Sequence, residues 1–184
     1  MRWPDVTGTG RTVEDFAAWA FHDLTTNLKR SLFAEWIVAC ALEVDTVPHE
    51  DWRDFDLEYR GARIEVKSSA YATPPLDAPH SPPRFDIAPR THFWDASDNL
   101  RKAYVNGPTR AAQIYVFCLF TARTPAEYEV RSTANWRFCC LSSERILTQF
   151  GLQKSVSPNR LGEFAPFIEF AILRSRVDGL IDEL

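Results

Sequence analysis

The sequence has little glycine, little cysteine, no long apolar run and no excess of positive charge. Seven glycines and twelve prolines among 184 residues are too few for a low-complexity chain. The four cysteines, Cys40, Cys118, Cys139 and Cys140, sit in apolar stretches without CxxC spacing, and read as reduced core thiols. His22, His49, His80 and His92 show no ligand spacing, which sets a structural zinc site aside. The polar stretch Met1 to Phe16 is interrupted by Pro4, Gly8 and Gly10 and lacks the apolar core of a signal peptide, and nothing approaches the length of a membrane span. A cytoplasmic protein with no membrane contact is expected. The balance of 21 Lys+Arg against 25 Asp+Glu argues, taken alone, against a polyanionic partner, because phosphate binding rests on cations displacing counterions.

What is present is apolar surface. With 45% hydrophobic and 13% aromatic residues the chain is expected to fold as a single domain, residues 1–184, with a sizeable core. The acidity is local. Residues 31–60 hold eight acids (Glu35, Glu43, Asp45, Glu50, Asp51, Asp54, Asp56, Glu58) against Arg53 and Arg60, which leaves the other 154 residues at +2.

Thr12 followed by Asp15 reads as a helix cap, and Phe16, Trp19, Ala20 and Leu24 continue at helical spacing to about Asn27. Thr7 to Arg11 reads as a flexible lead-in to that cap. A second helix is expected from about Lys29 through Leu42, apolar around almost its whole circumference and therefore buried on most sides. Within it Glu35 is the only charge between Arg30 and Glu43, and it needs either a partner such as Lys29 or Arg30 or a polar cleft. Residues 1–30 form an N-terminal helical extension in this reading. Residues 73–110 form a loop-rich insertion, with six prolines between Thr73 and Pro89 and a short strand at Arg84 to Ile87. Gln113 to Phe120 and Trp136 to Leu141 suit central strands. Ser142 or Ser143 caps a helix that Gly151 stops, and Phe164 to Leu184 reads as mostly helical.

Between these lies a hairpin. Phe55, Leu57 and Tyr59 alternate with polar residues, as do Ala62, Ile64 and Val66 after the turn dipeptide Arg60-Gly61. A two-residue loop sets Tyr59 against Ala62, Leu57 against Ile64, Asp56 against Glu65 and Asp54 against Lys67. Carboxylates directly opposite each other, with Cβ atoms about 5 Å apart, are unfavourable unless a cation lies between them. An all-oxygen pair of this kind suits Mg²⁺ or Mn²⁺. Lys67 follows on the same face about 7 Å along the strand, where its ammonium can stabilise charge on a phosphate or hold an attacking water.

Asp56, then Glu65-Val66-Lys67 on the next strand, preceded by a helix carrying Glu35, resembles the PD-(D/E)xK nuclease superfamily. The resemblance spans roughly Ser31 to Tyr71 and, more loosely, the two later strands. It implies an α/β, restriction-endonuclease-like three-layer fold with a central mixed β-sheet flanked by helices. It also implies a Mg²⁺- or Mn²⁺-dependent endonuclease or exonuclease acting on DNA more often than RNA. Asp56, Glu65 and the Val66 carbonyl would then bind the metal, Lys67 would be the catalytic lysine, and Glu35 would reach the metal through water. Phe55 stands where the family commonly has proline, and Ala72 and Thr73 stand where some members carry a further polar group.

The same residues admit a surface hairpin in which Asp54 pairs with Lys67 and Glu58 with Arg63, each pair contributing under about 1 kcal/mol. Ser68 and Ser69 suit either a phosphate contact or a strand end. Arg84, Arg90, Arg101, Lys102 and Arg110, with His92-Phe93-Trp94 among them, suit either nucleic-acid contacts or a solvated loop. The alternative function is a non-catalytic nucleic-acid- or protein-binding subunit that keeps the fold, and a homodimer or partner subunit suits either function.

Overall fold

The computed structural model describes residues 4–49, 53–77, 79–95 and 100–184, so Glu50 and Asp51 of the acidic stretch lie outside it. The chain runs through β1 (Asp5–Val6), β2 (Arg11–Thr12), α1 (Val13–Ala20), α2 (Asn27–Leu42), β3 (Leu57–Tyr59) and β4 (Ala62–Ala70). It continues with β5 (Phe85–Asp86), β6 (His92–Asp95), β7 (Leu100–Ala103), β8 (Ile114–Phe120), β9 (Trp136–Ser142), α3 (Ser143–Phe150), β10 (Ser155–Val156), α4 (Pro158–Gly162) and α5 (Phe170–Asp182).

Four strands form the central sheet in the order β3-β4-β8-β9. β4 and β8 are parallel and the outer pairs antiparallel, so the sheet is mixed. Because strand side chains alternate between faces, β8 and β9 divide their residues between two cores, while β4 gives its apolar residues to one of them. Ile64, Val66, Val116, Cys118, Phe120 and Phe138 meet Ala34, Ile37, Val38 and Leu42 of α2 and Leu173, Val177 and Leu180 of α5. Tyr115, Phe117, Leu119, Cys139 and Leu141 face the other way, against Phe85, Ile87, Ile146, Phe150 and Leu161. The result is a three-layer α/β arrangement with helices on both faces of a mixed sheet. β8 is buried along its whole length, as its unbroken apolar run requires.

Local signals place most of these elements. Thr12 and Asp15 form a reciprocal capping box on α1. The Ser142 hydroxyl accepts from the Arg145 amide at the start of α3, and Gly151 ends that helix at φ 54°. All four cysteines are free, with Cys118, Cys139 and Cys140 buried. Among the described residues, no helix is long and apolar enough to cross a membrane.

Several expectations are corrected. The first helix stops at Ala20 rather than Asn27, and the second begins at Asn27 because the Thr26 hydroxyl accepts from the Lys29 amide. Of the Thr7 to Arg11 lead-in, Thr7 to Gly10 form the turn of the β1-β2 hairpin and Arg11 opens β2. Residues 73–110 contain a β6-β7 hairpin, and β5 pairs with β10. The C-terminal segment is helical only from Phe170, and Ile168 forms a β-bridge to Phe138. Between Lys29 and Leu42 α2 is buried or half-buried, as expected, except at Trp36, which is 52% exposed where the helix borders a cleft.

Candidate active site

The hairpin register is the one its turn dipeptide dictates. Leu57 pairs with Ile64, Glu58 with Arg63 and Tyr59 with Ala62. Arg60 and Gly61 turn the chain at φ 51° and 78°, the two left-handed positions of a type I′ turn. Arg60 tolerates this while its guanidinium is held by Asp178 at 2.9 Å and Asp182 at 2.8 Å on α5.

Pairing stops at Leu57, and Asp56 begins the site. Its amide donates to the Ile64 carbonyl at 3.0 Å, and its Oδ2 accepts the Val66 amide hydrogen at 2.6 Å. A strand residue directs its N–H and C=O to the same edge, so the Val66 carbonyl faces the edge where Asp56 sits. Asp54 is not joined to Lys67; it accepts from the Tyr104 hydroxyl at 3.2 Å.

Glu65 is only 2% exposed, and a carboxylate so deeply buried is tenable only when paired. Its Oε1 accepts from Lys67 Nζ at 2.5 Å and from Arg90 Nη2 at 2.6 Å. Lys67 is therefore bound to Glu65, which removes the Asp54–Lys67 pair of the surface-hairpin reading. From the sequence Arg90 suits either a nucleic-acid contact or a solvated loop, not a partner for Glu65. Its place follows from backbone bonds to Thr109, at 2.8 and 2.9 Å, that tie the long connection back on itself.

Glu35 projects from α2 with Oε2 2.9 Å from His49 Nε2. Neither Lys29 nor Arg30 is its partner: the Arg30 guanidinium donates to Thr25 O, Tyr128 OH and Asn27 Oδ1. Burial, with repulsion from Asp56, raises the Glu35 carboxyl to about 7 despite His49. Burial, with repulsion from Glu65, raises Asp56 to about 6 against the opposing Val66 amide, Lys67 and Arg90. Tyr115, opposite Glu65 in the β4-β8 register, is pushed up by burial and by that carboxylate.

As the side chains stand, no group of three or more His, Cys, Asp or Glu among the described residues is gathered to hold a metal. The donor chemistry nevertheless fits a hard divalent cation. Burial, together with repulsion among three carboxylates from α2, the start of the hairpin and β4, raises two of them, the donors are all oxygen, and a cation among them relieves the excess charge. Asp56, Glu65 and the Val66 carbonyl are the groups that could ligate it.

Glu35 and Asp56 also line a cleft of about 1070 Å³, whose other walls include Phe33, Trp36, Lys29 and Arg53. The Phe33 and Trp36 rings lie 5.5 Å apart on its α2 side. Other expected phosphate contacts are engaged elsewhere. Arg84 donates to Ser155, Lys102 to Asp95, and Arg110 to the Ile87 and Gly151 carbonyls; Arg101 Nη2 lies 3.4 Å from His92 Nδ1. Ser68 Oγ is buried without a hydrogen-bond partner, and strand alternation turns it to the opposite face from Lys67.

No protein-family model, no curated protein and no solved structure matches this chain.

Proposed function

We propose that the chain is a divalent-metal-dependent nuclease of the PD-(D/E)xK type, with the restriction-endonuclease-like form of its three-layer fold, hydrolysing phosphodiester bonds of DNA. The observation that carries this reading is the convergence of Asp56 and Glu65 beside Lys67, with Asp56 fastened to the Val66 amide at 2.6 Å and Lys67 2.5 Å from Glu65. A structural hairpin has no need to bury a carboxylate beside a second, repelling one.

Asp56, Glu65 and the Val66 carbonyl would hold Mg²⁺ or Mn²⁺, which when bound would supply positive charge to a phosphate oxygen and acidify water. The Val66 amide fixes the Asp56 carboxylate in the orientation that the site needs. Lys67 brings a compact cation to the face where charge develops on the phosphate, and it can hold the attacking water. Glu35, raised to about 7, can accept a proton near neutral pH from the cleft side.

Supercoiled plasmid, incubated with the purified protein and Mg²⁺ or Mn²⁺, is nicked or linearised on this account. Chelator abolishes the activity, and so do Glu65→Gln and Lys67→Ala; an RNA substrate run in parallel identifies the polymer. Absence of cleavage of any nucleic acid, or full activity in those variants, overturns it. One observation favours the alternative of a non-catalytic binding subunit: Trp19, 80% exposed on α1, and Trp36 on α2 present aromatic surface of the kind found at interfaces. That alternative requires no divalent-ion binding at Asp56.

A further inference from the structure

Glu65 Oε1 carries two cations of different origin. Lys67 arrives with β4 itself, two residues further on. Arg90 comes from the connection between β5 and β6, and reaches the same oxygen at 2.6 Å. The Lys67 side chain is 23% exposed and that of Arg90 41%, so the guanidinium lies at the rim of the site. Among the described residues its only side-chain hydrogen bond goes to Glu65, which leaves most of its five donors unused.

A divalent ion on Asp56 and Glu65 competes for the oxygen that Arg90 holds. Sharing it would set a guanidinium against a doubly charged ion at contact range, where repulsion is strong even in a partly solvated site. Lys67 is anchored by its own strand; Arg90 has solvent beside it and can leave. A guanidinium released there is open to solvent and to a phosphodiester backbone, whose paired phosphate oxygens its planar fork matches better than an ammonium does.

Resting on the metal-site reading above, we propose that Arg90 is a positioning residue with two states: it holds Glu65 in the metal-free chain, and when a divalent ion takes Glu65 it swings to bind a phosphate of the substrate strand. Metal and nucleic acid then favour each other's binding through one side chain.

The test is calorimetric titration of Mn²⁺ into wild type, Arg90→Ala and Arg90→Lys without nucleic acid. It is paired with fluorescence anisotropy of a labelled DNA oligonucleotide in Ca²⁺ across a salt series. Arg90→Ala binds Mn²⁺ about tenfold more tightly, since a charge-assisted bond no longer competes. It binds the oligonucleotide more weakly, with the slope of log K against log salt smaller by about one. Arg90→Lys keeps the Mn²⁺ affinity near wild type without recovering the full DNA affinity. Glu65 retains Lys67 in every variant, and the backbone bridge to Thr109 does not involve the side chain, so the fold persists and thermal melts verify it. Unchanged or weaker Mn²⁺ binding by Arg90→Ala, or unchanged oligonucleotide binding, overturns the two-state arginine while leaving the metal site standing. A wild type that binds no Mn²⁺ overturns both.

Discussion

The Asp56 carboxylate accepts the Val66 amide hydrogen at 2.6 Å, just beyond the last paired residue of the β3-β4 ladder. A side chain thus does the work of a main-chain acceptor, and the same bond aims a carboxylate at Glu65. Asp56→Asn keeps an acceptor for that amide and removes the charge. Asp56→Ala removes both and leaves the amide unpaired, a difference of about 1–3 kcal/mol between the two variants. Chemical denaturation of both proteins at pH 8 measures it, with the Asn form the more stable.

The raised carboxyls set an unusual pH dependence. A group that binds its proton more tightly folded than unfolded contributes stability that is fully present below its unfolded pKa, about 4. That contribution is lost as pH rises through about 6 for Asp56 and about 7 for Glu35. Carboxyls with lowered values, Asp15, Asp23 and Asp178 among them, act in the opposite sense and mainly below pH 4. The metal-free melting temperature therefore rises from pH 8 to pH 5, and Glu35→Gln and Asp56→Asn each flatten the rise. A flat or inverted wild-type profile contradicts the burial and mutual repulsion of these carboxyls.

On the proposed metal-site reading, a divalent ion reverses that penalty. At one hundred times its Kd, Mn²⁺ stabilises the folded chain by about 2.7 kcal/mol, read as an upward shift in melting temperature at pH 8. Glu65→Gln removes a ligand charge and abolishes the shift; a shift that survives in this variant places the ion elsewhere.

Gly61 at φ 78° sets the register that aligns Asp56 with Glu65. A Cβ there meets nothing within 4 Å, so the cost of Gly61→Ala is conformational, about 1 kcal/mol. Urea denaturation checks it. A gain in stability contradicts the left-handed turn.

Arg110 donates to the Ile87 carbonyl at 2.8 Å and to the Gly151 carbonyl at 2.9 Å, joining the β5 segment to the end of α3. Arg110→Met lowers stability by about 1–3 kcal/mol and leaves the salt dependence of DNA binding unchanged. A reduced salt slope returns Arg110 to the phosphate contacts that the sequence suggested.

The parts of this molecule that were legible in the sequence are those fixed by neighbours along the chain. Arg60-Gly61 with its alternating flanks gives the register of the hairpin, Thr12 and Ser142 give their caps, and the apolar runs give β8 and β9. The β6-β7 hairpin was missed because His92–Asp95 and Leu100–Ala103 show no two-residue periodicity. The exposure of Trp36 was missed because periodicity reports how apolar a helix is and not what covers it. Arg90 and His49 reach Glu65 and Glu35 through tertiary contacts that no spacing encodes. The clearest hint was an unpaired Glu35 in an apolar helix, which demanded a partner without naming one.

The central claim is that Asp56 and Glu65 share a divalent ion. Crystals soaked in Mn²⁺ and measured above the manganese absorption edge test it most directly. The account predicts an anomalous peak within ligand distance of both carboxylates, with the Arg90 guanidinium moved off Glu65. No peak at that position, with Lys67 and Arg90 still bound to Glu65 at saturating Mn²⁺, contradicts it.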